Sequence, residues 1–190
     1  MDGYILTLAA KQIVNDWLVE NKGNYLEIGS YYGVMISELA EAFPDRIMYC
    51  IDPFISDGFT GQEKGTELSD VEKAFIENTK SHKNIKLNRM TTKQVLEKKL
   101  DNLIKDVTVV YVDGSHHFDD ILIDIDLVDL IHKKTSNRFM VIFDDLHIQD
   151  VRRGVDEFRQ KYKDYISTEA TNPIVTFIMR PYNESKEENT

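Results

Sequence analysis

The sequence predicts an α/β fold: a doubly wound, seven-stranded, mostly parallel sheet with a C-terminal antiparallel hairpin, in one domain spanning residues 1–183. Three observations carry this. Short apolar runs alternate with segments of helical period five times in succession. The fourth run, Val107–Val112, is β-branched or aromatic throughout, the composition of a strand covered on both faces. The last two runs, Tyr165–Thr168 and Ile174–Met179, have no helical pattern between them and should pair as a hairpin.

The elements follow in chain order. Ile5–Val19 reads as an amphipathic helix, because Lys11, Gln12, Asn15 and Asp16 interrupt its apolar residues at helical spacing; it is not a signal peptide. Asn24–Ile28 is the first strand, Gly33–Phe43 a helix and Arg46–Ile51 the second strand. That strand holds the only cysteine, Cys50, read as a buried small hydrophobe; the absence of a disulfide framework fits a reducing cytoplasm. Pro53–Gly65 is polar, glycine-bearing and long for a βα connection, which makes it a candidate lid. Ser69–Ser81 is a helix with Ser69 as its N-cap, Asn84–Leu87 a strand and Thr91–Leu103 a helix. After Val107–Val112 comes the helix Phe118–His132, with an apolar stripe of Phe118, Ile121, Leu122, Ile125 and Val128. Its acids Asp119, Asp120, Asp124, Asp126 and Asp129 read as a solvated face. Arg138–Phe143 is the fifth strand, Ile148–Tyr162 the last helix, and Glu184–Thr190 a polar tail expected to be disordered.

Composition excludes some function classes. The net charge of −10 opposes non-specific nucleic-acid binding, which needs Lys and Arg against phosphates, and no apolar run approaches a membrane span. A small-molecule, cationic or protein partner is favoured.

In a doubly wound sheet, ligands bind beyond the carboxyl ends of the strands. The five ends are Glu27–Gly33, Asp52–Phe54, Asn88–Thr92, Asp113–His117 and Asp144–His147, and four of them are strongly polar or acidic. The first is a glycine turn, and Asp52 ends the second strand 23 residues after Gly29. Glycines permit a tight turn and close backbone approach, and an acid at the second tip can accept from ribose hydroxyls: this is a nucleoside-binding layout. A dinucleotide fits poorly, because Tyr31 stands where the central glycine of G-x-G-x-x-G would admit a pyrophosphate.

Glu27-Ile28-Gly29-Ser30-Tyr31-Tyr32-Gly33, followed by a strand ending in Asp52, resembles motifs I and II of the class I S-adenosylmethionine (SAM)-dependent methyltransferases. The resemblance implies a Rossmann-like fold. It implies a cofactor pocket of Glu27, Gly29, Ser30, Tyr31 and Gly33, with Asp52 on the ribose diol, Met90 and Thr91 beside the adenine, and Asp113 at the cofactor's edge. The structural alternatives are a buried, partnered Glu27, a turn-forming Asp52 and an ordinary helix start at Thr91.

The second cluster is Asp113-Gly114-Ser115-His116-His117-Phe118 with Phe143-Asp144-Asp145-Leu146-His147. Converging carboxylates repel one another unless a cation is present; hard oxygens suit Mg²⁺ or Ca²⁺, and nearby imidazoles would admit Mn²⁺ or Zn²⁺. The alternative is a turn at Asp113 and a helix cap at Asp144 or Asp145. With Gly154-Val155-Asp156-Glu157-Phe158 further on, the order resembles small-molecule methyltransferases related to the macrocin-type sugar O-methyltransferases. More distantly it resembles the metal-dependent catechol-type enzymes. Those place acids where Asp113, Asp144 and Asp145 stand, around a divalent cation such as Mg²⁺, and a lysine base where this chain has His116. Thr135-Ser136-Asn137 replaces the usual Gly-Gly before strand five, a turn remote from the crevice.

The expectation is a SAM-dependent methyltransferase acting on an oxygen of a small hydroxylated molecule with divalent-metal assistance. His116 and Asp113 are its catalytic residues, with His117 and His147 as substitutes for the base. The rivals are a metal-free N- or O-methyltransferase and a SAM-fold binding protein without catalysis, against which intact Glu27, Gly29 and Asp52 argue. The Pro53–Gly65 loop and the N-terminal helix should shape the acceptor site, with a second subunit of a homo-oligomer as a further contributor.

Overall fold

The alternating pattern resolves into α1 (Asp2–Glu20), β1 (Asn24–Ile28), α2 (Val34–Ala42), β2 (Met48–Ile51), α3 (Leu68–Thr79), β3 (Ile85–Asn88), α4 (Thr92–Glu97), β4 (Val107–Val112), α5 (Phe118–Lys134), β5 (Phe139–Phe143), α6 (Gln149–Lys161), β6 (Ile166–Thr171) and β7 (Ile174–Met179). The structure is a computed structural model that describes residues 2–55, 68–98, 104–135, 137–164, 166–171 and 174–181. The strands form a single seven-stranded sheet in the order β3-β2-β1-β4-β5-β7-β6. β1 to β5 run parallel, and β7 is antiparallel to both β5 and β6. The expected Ser69 N-cap is not observed, since α3 already includes Leu68 and Ser69. The candidate lid beyond Ile55, the end of the expected Thr91–Leu103 helix and the polar tail lie outside the described residues.

Every residue of β2, β4 and β5 is buried because helices cover both faces. Successive side chains point to opposite faces. Leu26, Ile28, Ile51, Val110 and Val112 pack with α4, α5 and α6, whereas Tyr25, Met48, Cys50, Val109 and Tyr111 pack with α1, α2 and α3. Cys50 is free and buried, as expected for a small core residue. Among the described residues no helix is long and apolar enough to cross a membrane.

Register positions the site. Ile28 pairs with Ile51 and Val112, Ile51 with Asn88, and Val112 with Phe143, so five strands end level with one another. The ladder then runs one residue further. Gly29 N–H donates to the Ile51 carbonyl (2.9 Å), Asp52 to Asn88 (3.2 Å), Asp113 to Ile28 (2.9 Å) and Asp144 to Val112 (3.1 Å). The first residue past four strands is thereby held in one row along the carboxyl edge.

Candidate active site

The order reverses between β1 and β4, the place where an α/β sheet opens a crevice. Gly29 makes the close approach there. Its φ is +82°, and a Cβ on it would lie 2.0 Å from the Asp113 carbonyl oxygen. Gly33, at φ +70° before α2, would likewise drive a Cβ to 2.6 Å from the Phe75 ring. The glycine turn is therefore shaped first by contact with the neighbouring strand end and α3.

A cavity of about 920 Å³ opens over this edge, lined in part by Gly29, Tyr31, Asp52, Thr91, Asp113 and His116. The volume suits a nucleoside-sized cofactor with a small second ligand. Three lining residues, Tyr31, Phe54 and Asp145, hold positive φ without being glycine (45°, 52° and 56°). Such conformations cost about 1–3 kcal/mol each and cluster at functional sites.

Asp52 ties the turn together. Its Oδ2 accepts from Ser30 N–H and Tyr31 N–H, both at 2.9 Å, and its Oδ1 accepts from Phe54 N–H at 2.7 Å. Three of the roughly four lone-pair positions of a carboxylate are then in use, which leaves one on Oδ1 for a ligand hydroxyl. Glu27 lies beneath the turn, 3% exposed, accepting from the Ser30 hydroxyl at 3.3 Å. Its carboxyl is pushed up to about 8, first by burial and then by the Asp52 charge, with the Ser30 hydrogen bond opposing. Tyr31 is exposed at the mouth, its ring 4.1 Å from that of Tyr32.

Beyond β3 the two expected adenine contacts separate. Met90 packs against the core and does not line the cavity. Thr91 is the N-cap of α4 in a reciprocal capping box with Gln94, and it lines the cavity with Thr92. Thr91 thus has the helix-start role together with a place on the wall. No described residue of α1 lines the crevice; α1 packs on α2, where Lys11 pairs with Glu38 at 2.6 Å.

The acids of the other half turn toward protein groups. Asp144 accepts from the Tyr111 hydroxyl through Oδ2 and from Asp145 N–H through Oδ1 (2.7 Å). Asp145 Oδ2 lies 2.9 Å from His116 Nε2, and its Oδ1 lies 3.5 Å from His147 Nδ1. Neither acid caps α6, whose N-cap is Ile148 without a side-chain bond. His117 is the N-cap of α5. Asp113 opens on the cavity, where its side chain remains exposed although the crevice walls displace part of its bulk water. It is pushed well above the usual carboxylate range, first by loss of bulk water and then by Asp144, Asp145 and Glu27, with the Tyr111 hydroxyl opposing. The three carboxylates therefore do feel one another. Among the described residues, however, no group of three or more His, Cys, Asp or Glu side chains is arranged to hold a metal ion. The physical reason is that Tyr111, His116 and His147 draw Asp144 and Asp145 onto themselves.

Two acids of α5 leave the solvated face expected of them. Asp129 is half-buried, bonded to Lys133 and to the Tyr162 hydroxyl. Asp124 is buried at 4% exposure and lines the cavity. Its spacing was the available signal: it stands three residues after Ile121 and four before Val128, on the apolar stripe itself.

A family profile described as a methyltransferase domain matches residues 26–146, more than half of the 190 residues. The chain belongs to this methyltransferase family. It is a SAM-dependent methyltransferase, and SAM is the cofactor of its family. No curated protein matches it in sequence. Solved structures similar to this methyltransferase include the calicheamicin methyltransferase CalS11 (TM-score 0.66, 13% identity, covering 95% of this chain and 80% of that one). An O-methyltransferase from Bacillus cereus in complex with SAH is similar as well (TM-score 0.60, 13% identity, 94% and 80% covered). So is the fibrillarin/Nop5p complex (TM-score 0.59, 11% identity, 90% and 81% covered). At these identities the likeness shows the fold. The family match spans the glycine turn, Asp52, Asp113 and Asp145.

Proposed function

We propose that this methyltransferase moves the methyl group of SAM to a hydroxyl oxygen of a small molecule, with His116 taking the hydroxyl proton and Asp145 orienting the imidazole. The observation that carries this is the 2.9 Å contact between His116 Nε2 and Asp145 Oδ2, both side chains partly open to the cavity. A carboxylate accepting from Nε2–H holds one tautomer and places the basic lone pair on Nδ1. Glu27, on β1, and Asp52, just beyond β2, serve the cofactor; the dyad lies across the crevice, beyond β4 and β5. Methyl transfer is an in-line displacement on the sulfonium carbon. Aligning acceptor, methyl and sulfur can supply roughly 7–11 kcal/mol of barrier reduction. The net charge of −10 favours a small acceptor over a nucleic acid. The O-methyltransferases among the similar folds support oxygen as the acceptor atom.

A second reading adds a divalent cation, and the mutual repulsion that raises Asp113 favours it. Asp113, Asp144 and Asp145 offer hard oxygens of suitable chemistry and would hold it, once Asp144 and Asp145 loosen from Tyr111, His116 and His147. A bound cation would neutralise the acids and lower the pKa of a substrate hydroxyl.

The test is SAH release from SAM with panels of sugar hydroxyls, catechols and amines, with and without EDTA. His116→Ala should lower turnover by about 10²–10⁴ on a hydroxyl acceptor. Asp145→Asn should reduce the rate and displace its pH profile. An unchanged rate in His116→Ala removes the dyad from the mechanism. Methylation of amines alone overturns the oxygen reading, and full activity in EDTA overturns the cation.

A further inference from the structure

We propose that Asp124 is a cofactor-binding residue that accepts a hydrogen bond from the 6-amino group of the SAM adenine. The inference rests on SAM as cofactor and concerns a part of the crevice that the proton-transfer reading does not use.

Asp124 sits in the second turn of α5, on the face that carries Ile121, Ile125 and Val128 into the core. An acid has no packing reason to be there. It is 4% exposed, yet it lines the cavity. Two contacts locate it. The Thr92 hydroxyl, at the start of α4 just beyond β3, lies beside the carboxyl and favours its charged form. Gly114, just beyond β4, brings bare backbone against it: a Cβ on Gly114 would lie 3.5 Å from Asp124 Oδ2 and 3.2 Å from Ile28 Cγ2. Asp124 therefore lies between the ends of β3 and β4, away from the Asp144–His147 group beyond β5. Among the described ion pairs no Lys, Arg or His joins it. Burial, together with Asp120 and against the Thr92 hydroxyl, pushes its carboxyl up to about 7. A buried carboxyl with one hydroxyl beside it keeps unused lone pairs, and burial without partners is costly. A ligand N–H would relieve it.

The donors of SAM identify that N–H. The cofactor carries an ammonium group, ribose hydroxyls and an adenine 6-amino group. Glu27 lies under the glycine turn, and Asp52 follows the end of β2. Asp124 stands apart from both, and from the buried Asp144, whose oxygens accept from the Tyr111 hydroxyl and Asp145 N–H. Ile28, Ile51 and Ile123 line the same cavity, giving apolar walls for a flat ring whose one donating edge needs an acceptor. The adenine edge is therefore the donor left for Asp124.

The experiment is a double-mutant cycle by calorimetry at pH 8, using SAH and its 6-desamino analogue with purine in place of adenine. The wild type should bind SAH about tenfold tighter than the analogue. In Asp124→Ala the two should bind within about threefold of each other, because the group that distinguishes them is gone. Asp124→Asn keeps an acceptor oxygen and should retain most of the preference. Asp124→Leu fills the buried stripe with apolar bulk; it replaces the alanine variant if that one fails to fold, and it should likewise lose the preference. A tenfold preference that survives in the alanine or leucine variant overturns the assignment, and so does its absence from the wild type while SAH still binds. Wild-type protein that binds neither SAH nor SAM would instead overturn the cofactor reading itself.

Discussion

Glu27 gives a prediction whose size can be worked from the structure. Its carboxyl is moved from 4.5 to about 8, chiefly because it is buried. The unfolded chain releases this proton near pH 4.5, whereas the folded chain keeps it until about pH 8. Between those limits the folded state binds more protons, so stability falls as pH rises through the window and levels off above it. The slope is at most about 1.4 kcal/mol per pH unit, a ceiling of roughly 5 kcal/mol for the whole window. The neutral amide of Glu27→Gln keeps the shape and an acceptor for the Ser30 hydroxyl but has nothing to titrate. The variant should match the wild type at pH 5 and exceed it by about 2–4 kcal/mol at pH 8 without cofactor. Asp124 and Asp113 are raised too and slope the wild-type curve in the same direction. The difference between wild type and variant isolates Glu27. Urea unfolding at constant ionic strength from pH 5 to 8.5 measures it. A difference that stays constant across that range would show that Glu27 ionises in the folded protein as it does in the unfolded one, and the burial argument would fail.

Two further outcomes follow from the same edge of the sheet. Tyr111→Phe removes the buried hydroxyl that donates to Asp144 and should lower stability at neutral pH by about 1.5–3 kcal/mol, the scale of a hydrogen bond to a charged group; an unchanged urea midpoint and slope would refute the contact. Gly29→Ala puts a Cβ 2.0 Å from the Asp113 carbonyl at a φ of +82°, and should cost at least about 2 kcal/mol in the same assay. A wild-type unfolding curve for that variant would mean the turn relaxes freely.

Sheet architecture was legible because it depends on properties that each strand carries alone. Val107–Val112 is apolar on both faces wherever it lies, and level strand ends follow once parallel strands are in register. The polar ends were legible for the same reason. What each acid does was not, because that depends on partners distant in sequence. Asp144 is turned by a hydroxyl on Tyr111, 33 residues earlier, and Asp145 by His116, 29 residues earlier. Three carboxylates at adjacent ends satisfy the composition of a cation site, yet those neighbours compete for their oxygens, and no spacing rule records the competition. Asp52 shows the converse: read as a ribose acceptor or as a turn residue, it makes three backbone bonds and keeps one lone pair, so the turn role does not exclude the ligand role. Asp124 is different again, since its position was in the sequence. Grouped with the other acids of α5 by residue type, it reads as solvated; placed by helical period, it falls between Ile121 and Val128 on the buried stripe. For a charged residue on an amphipathic helix the period is the stronger guide, because the helix fixes where the side chain points whatever its polarity. An acid that the period places inside must then find a donor, and at this edge of the sheet the cavity is where a ligand's donor would come from.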